Sequence, residues 1–419
     1  MRNVVLVCLD SVRKDLFDRC APTLRRRADI EYAQCRTTTS RRVPSYASML
    51  TGTLPSQHGV YTQNHSYDGV DPSETFLADL PSHRTVGVST TEFAGSSSGF
   101  DRFFDSFTDS TATRRFPPGL DPAAFAAAGG GLRASRSFLR AALAHEHPLQ
   151  RLGNGVTGLL TRFSQIRVRP TLFGDGTASA IRVAKSEASV EEPFFLFTSF
   201  TEASAPVRPT QGFDRRVDSF VEWVTTNTEF PTTIVITATH GENLGSPEDD
   251  GLVGHSSSLS EGIAHVPLLV INAPGGLNGC ERRFVSHLDL GELLVGLASG
   301  ELPDVTREWV PAEVIKMGAG PEPSSESEHP DRTIRAVYDG RTPSEKATKV
   351  VWNSFGSVER YDIEPKRPCW QELVEISDDV PNWATDQFEV SIEDARRRTL
   401  SAEHSEASSV TQAQLKKPG

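Results

Sequence analysis

The chain has 419 residues, 37% of them apolar and 22 of them Phe; this excludes global disorder and allows one large α/β domain with a smaller appendage, or two ordinary domains. Its formal net charge is −12, from 55 acidic against 43 basic side chains, and no basic run with interleaved aromatics occurs, which disfavours a nucleic-acid groove. An acidic, Lys-poor and Arg-rich composition suits a salt-rich cytoplasm, where self-repulsion is screened, and suits a GC-rich genome equally well.

The first segment, "NVVLVCL" (Asn3–Leu9), is a continuous apolar run closed by Asp10. It reads as a buried β-strand and not as a signal peptide, because no cleavage site follows. Further runs of strand length lie at Thr85–Ser89, Phe194–Phe200, Thr233–Thr237 and Val266–Ile271. They lack two-residue alternation, which marks strands buried on both faces of a mostly parallel sheet. Helical patterns at Arg215–Asn227 and Leu288–Ala298 lie among them, with apolar residues at i, i+3, i+4 and i+7. Alternation of this kind predicts a doubly wound α/β domain over residues 1–300.

The pattern breaks between Asp109 and Glu187, where a helical insertion over about 109–187 is expected. Residues 301–331 read as a connecting segment and polar, Pro-rich linker. Three strand-like pieces, "TIRAVYDG", "KATKVVWNS" and "VERYDI", then predict a small antiparallel C-terminal subdomain over 332–400, with a disordered tail at 401–419. No window approaches the roughly 18–20 apolar residues of a membrane span. The five cysteines (Cys8, Cys20, Cys35, Cys280, Cys369) are scattered, with no CxxC spacing. They read as thiols in a reducing compartment, so a soluble cytoplasmic protein without a membrane partner is expected.

Polar residues gather at the predicted strand ends. Asp10 closes the first strand, and Thr239 and His240 close a later one, so both should face one crevice at the carboxyl edge of the sheet. The loop before Pro44 leads into a helix from about Ser45, whose N-terminal N–H groups can receive an anion. His255 and His265 follow on a Ser/Gly-rich loop. Together these are the parts of a metal-assisted site for an anionic ester. Taken singly, each has a plainer role: Asp10 as a cap or turn residue, and His58 and His265 as structural imidazoles.

In joint order the segments resemble the sulfatase family of the alkaline phosphatase superfamily, and within it the cytoplasmic archaeal-type members. "NVVLVCLDSVRKD" resembles the opening strand with its metal-binding Asp, here Asp10. "RVPSYASMLTGTLPSQHGV" (Arg42–Val60) resembles the signature that runs from the nucleophile into its helix. "PFFLFTSFTEASAPVRP", "ITATHGENLG" and "GLVGHSSSLSEGIAHVPLLVINAP" resemble the later substrate and metal segments, and "RAVYDG", "KATKVVW" and "ERYDI" the terminal sheet. The resemblance implies an alkaline-phosphatase-like fold, metal ligands at Asp10, Arg42, Thr239 and His240, and His255 as general acid. It further implies substrate contacts at Ser45 and Ser204, and a sulfated or phosphorylated small molecule or glycan as ligand.

Departures from the family pattern decide the chemistry. The nucleophile position, two before Pro44, is Arg42, and a permanently protonated guanidinium cannot attack sulfur or phosphorus. The usual Asp before His240 is Thr239, a usual His is Ser204, and the residue after Ser45 is Tyr46. A divalent cation, Ca²⁺ or Mg²⁺, belongs to an active site of this family; one carboxylate and one imidazole would not hold it tightly, and no cation is the other expectation. Glu242, two residues past His240, is expected to point elsewhere. Arg42 is expected to reach the vacated cation position and pair with Asp10.

Two readings follow. The first is a pseudoenzyme, a sulfatase-type protein with lost or much reduced catalysis and an anion-binding cleft. The second is an active metal-dependent sulfuric or phosphoric ester hydrolase, with Ser40, Thr39 or a metal-bound water attacking and His255 as general acid.

Overall fold

The computed structural model describes residues 1–61, 66–110, 176–200, 212–249, 251–254, 258–315, 332–341 and 346–398. Strands β1 (Asn3–Leu9), β2 (Ile30–Arg36), β3 (Arg84–Ser89), β4 (Ser106–Asp109), β5 (Phe194–Phe200) and β6 (Thr232–Ala238) precede a short hairpin of β7 (Asn243–Leu244) and β8 (Val253–Gly254). Strands β9 (Leu268–Ile271) and β10 (Gly279–Ser286) complete an eight-stranded sheet of order β10-β2-β9-β6-β1-β5-β3-β4. All its pairings are parallel except those of β9, which runs antiparallel to both β2 and β6.

Each residue of β1 is buried, as a strand with no polar face requires, and β1 lies between β5 and β6 with both neighbours parallel to it. That central position brings the carboxyl ends of β1, β5 and β6 together. Helices α1 (Lys14–Cys20), α2 (Pro22–Arg27), α3 (Arg42–Thr51), α4 (Pro55–His58), α5 (Thr177–Glu187), α6 (Phe213–Thr226), α7 (Glu261–Ala264) and α8 (Leu290–Ser299) connect the strands. Two helix groups cover the sheet: α5 and α6 pack together on β3, β5 and β6, while α3 packs with α8, which rests on β1 and β6. This is the doubly wound arrangement expected from the alternation of strand and helix. Among the described residues, no helix is long and apolar enough to cross a membrane.

A second sheet is an antiparallel meander of β11 (Trp309–Ile315), β12 (Thr333–Asp339), β13 (Ala347–Asn353), β14 (Val358–Ile363) and β15 (Gln371–Ser377). Its first strand lies inside the segment read as a connector, yet β11 pairs along its whole length with β12. Two buried ion clusters tie the second sheet to the rest of the domain. Glu261 on α7 lies between Arg36 of β2 and Lys349 of β13, at 2.8 and 3.3 Å. Glu313 of β11 pairs with Arg335 of β12 at 3.0 Å and accepts the Ser56 N–H of α4 at 2.6 Å. Of the expected helical insertion, residues 111–175 fall outside the described residues, as do the linker at 316–331 and the tail at 401–419.

Candidate functional site

Asp10 directly follows β1, where its backbone N–H donates to Phe200 O at the end of β5. Ser11 then takes a left-handed backbone conformation with φ of 56°, which a non-glycine residue adopts only when its surroundings hold it there. The turn drives the Asp10 carboxylate inward, leaving its side chain 4% exposed. Burial raises the Asp10 carboxyl above the ordinary carboxylate range, opposed by the Arg42 charge and by hydrogen bonds from Arg42, Ser11 and Thr239.

Arg42 opens α3, after a loop (Thr37–Ser40) whose four hydroxyl residues are all buried. Its Nε donates to Asp10 Oδ1 at 2.6 Å and its Nη2 to Ser11 Oγ at 3.2 Å. The guanidinium carbon stands 4.9 Å from the centre of the Phe93 ring, while the side chain stays 25% exposed. The pairing expected from charge complementarity therefore forms. Thr239 Oγ1 approaches the same Asp10 oxygen at 3.5 Å, and the Thr239 N–H donates to Leu9 O.

His240 is buried, and its Nδ1–H donates to Gly241 O at 2.7 Å, which assigns the proton to Nδ1. Gly241 is needed there: its N–H donates to Ile263 O at 2.7 Å, and a Cβ on it would come within 2.0 Å of Gly262 O. Asp10, Arg42, Thr239 and His240 thus gather at one edge of the sheet.

Other expected residues stand elsewhere. The Ser45 hydroxyl is buried and donates to Thr239 O at 2.6 Å, tying α3 to the end of β6. Thr39 and Ser40, the alternative nucleophiles, are 1% and 0% exposed. His255 and Ser204 lie outside the described residues. His58 and His265 have the structural roles anticipated for them. His58 Nδ1 accepts the Val60 N–H while Nε2 meets Ser48 Oγ, and His265 Nε2–H donates to Ala33 O.

One residue at the site was not anticipated. Phe93 supplies the ring against Arg42, from a short helical turn without an apolar period. Glu242 is half-buried, and its side chain makes no hydrogen bond or ion pair among the described residues. Burial raises the Glu242 carboxyl, Asp10 adds to that, and the charges of Arg42 and Arg13 oppose it. Its carbonyl accepts from Arg13 Nη1 at 3.1 Å, which fixes the chain beneath the side chain.

These residues do not fit a hard divalent cation. The one carboxylate at the strand end already holds a guanidinium, the residue before His240 is a threonine, and Ca²⁺ or Mg²⁺ would require about six oxygens. Among the described residues, no group of three or more His, Cys, Asp or Glu side chains is placed to hold an ion.

No family model matches the sequence, and no curated protein is similar to it in sequence. The likeness to known proteins is structural. A phosphonate monoester hydrolase from Silicibacter pomeroyi superposes with a TM-score of 0.54 and 14% identity, over 87% of this chain and 89% of its own. A protein of the alkaline phosphatase superfamily from Vibrio parahaemolyticus gives 0.52 and 12%, over 96% and 88%. This chain has the alkaline-phosphatase-like fold. A 2-O GAG sulfatase shares it, with a TM-score of 0.50 and 13% identity over 99% of this chain and 91% of that one. Identities this low place the likeness at the level of the fold. In the alkaline-phosphatase-like fold of this chain, the site just described stands at the carboxyl edge of the main sheet.

Proposed function

We propose that this chain is a sulfatase-family protein of the sulfate/phosphate ester hydrolase type, of the archaeal cytoplasmic kind, that has lost most or all catalysis. It keeps a cleft for a sulfated or phosphorylated small molecule or glycan, and it uses no nucleic-acid or membrane partner. One observation carries the reading: the side chain at the nucleophile position is a guanidinium, and it is bound to the carboxylate that would otherwise hold a cation. Such a group has no lone pair to offer sulfur or phosphorus, and its charge takes over the neutralisation of Asp10. Thr39 and Ser40, on the loop before Arg42, are buried, which supports the same reading. Free thiols at all five cysteines support a reducing compartment.

Turnover is the test. Purified protein with Mg²⁺, Mn²⁺ or Ca²⁺ is expected to leave 4-nitrophenyl sulfate and 4-nitrophenyl phosphate at the background rate. Hydrolysis that disappears in His240→Ala would make the protein an active esterase and overturn the reading.

A further inference from the structure

We infer that the groove between the second sheet and the segment before α7 binds an organic ammonium ion with an apolar body, with Glu359 as its counter-charge. The groove shares no lining residue with the site around Asp10 and Arg42, so the inference does not depend on how that site is read.

The groove has a volume of about 360 Å³, with Leu252 and Leu259 on one wall and strands β12 to β15 on the other. Strand register sets the second wall. Glu359 of β14 stands opposite Val351 of β13 and Ile376 of β15, and Tyr361 stands opposite Leu373. Opposed residues of antiparallel strands share a face, so these five side chains lie on the same side of the sheet. A bulge in β15 makes this possible: Val374 is the extra residue, and without it Leu373 and Ile376, three apart, would point to opposite faces. Leu373 is 44% exposed and Ile376 69%, so the groove opens along β15, the edge strand of the sheet. Apolar side chains left open beside a concave surface mark a place where a ligand is covered by protein.

Charge selects the ligand. Among the described residues, the charged side chains that line the groove are Arg332, Lys349 and Glu359. Lys349 is fully buried and spent on Leu259 O, Glu261 and Gln371, and Arg332 has a partner of its own. Glu359 is left over. Its Oε2 accepts from the Tyr361 hydroxyl at 2.8 Å, which orients the carboxylate, while Oε1 has no hydrogen bond and the group has no ion pair among the described residues. An ionised carboxylate can only accept, and apolar neighbours on both sides, Val351 and Ile376, strengthen its pull on a cation by displacing water. A hard metal ion would find one carboxylate where it needs about six oxygens, and an anion would be repelled. An ammonium with an apolar body meets both demands: its N–H donates to Oε1 and its body covers Leu373 and Ile376.

Isothermal titration with 2-phenylethylamine, 3-phenylpropionate and ethylamine separates the charge from the body. The wild-type protein is expected to bind 2-phenylethylamine at least about tenfold more tightly than either of the others, because one reverses the charge and the other lacks the ring. Glu359→Gln keeps the shape of the side chain and should weaken the amine by about fivefold or more. Ile376→Lys, at an exposed position opposite Glu359, supplies a cation from the protein itself and should abolish amine binding while the protein stays folded. A carboxylate bound as well as the amine, no amine binding at millimolar concentration, or an amine affinity unchanged in either variant overturns the inference.

Discussion

Glu261 and Asp10 are both buried carboxylates met by arginine, and the molecule treats them in opposite ways. Glu261 has no exposure and lies between two cations, Arg36 and Lys349. Burial alone would raise its carboxyl, but the charges of Arg36 and Lys349 outweigh this and hold it below the usual range. Asp10 has one cation on one oxygen, and its carboxyl stays raised. A carboxylate with a cation on each oxygen and no open side joins two sheets; one at a strand end with a cation on a single oxygen leaves lone pairs for something else. Ion pairs of the same chemistry therefore divide into frame and site by whether each oxygen has its own cation.

Removing the frame carboxylate should have the largest effect. Glu261→Gln leaves Arg36 and Lys349 facing a neutral amide inside the protein and should cost about 3–5 kcal/mol in urea unfolding. Glu261→Gln with Lys349→Met should cost less than the sum of the single changes, because the two sites share one interaction.

Three imidazoles belong to the same frame. Burial holds His58 and His287 down at about 3 and pushes His265 well below its ordinary value, so all three are neutral in the folded protein near pH 7. The unfolded chain protonates them below about pH 6.5. Their folded values are depressed, so the stability they confer is complete above about 6.5 and is lost as pH falls towards 3. Unfolding free energy should drop by roughly 3–4 kcal/mol between pH 7.5 and 5.5 on this account, about 1.4 for each imidazole as an upper figure. A flat profile across that window would show that these histidines are not held neutral.

Breaking the site pair should cost less. Arg42→Ala leaves Asp10 buried without its cation, but Arg42 is a quarter exposed, so about 2–3 kcal/mol is expected where a fully buried pair would lose more. Asp10→Asn added to that variant should restore part of the loss, as thermal unfolding would detect. The smallest change is at Glu242: with no partner to lose, Glu242→Gln should alter stability by no more than about 0.5 kcal/mol. A loss comparable with that of Arg42→Ala would assign Glu242 to the frame.

Several features were legible from residues alone. β1 and β5 match the bounds read from the sequence, because strands buried on both faces are dominated by apolar side chains and carry no charge. β2 and β10 were not read: each carries charged side chains, and β10 forms the edge of the sheet with half of its residues exposed. The apolar run of β9 was visible, whereas its antiparallel direction is set by long-range pairing with β2 and β6. At the site, the Asp10–Arg42 pair was legible because a buried carboxylate that loses one cation needs another.

Elemental analysis of the purified, undialysed protein tests most directly whether a guanidinium has taken the place of the cation. With Arg42 on Asp10 and a threonine at 239, wild-type protein should carry far less than one divalent ion per chain. Arg42→Ser with Thr239→Asp, which rebuilds the four-ligand set that the family resemblance implies, should carry about one if the surrounding hydrogen bonds are intact. A stoichiometric Ca²⁺, Mg²⁺ or Mn²⁺ in the wild-type protein would contradict the account.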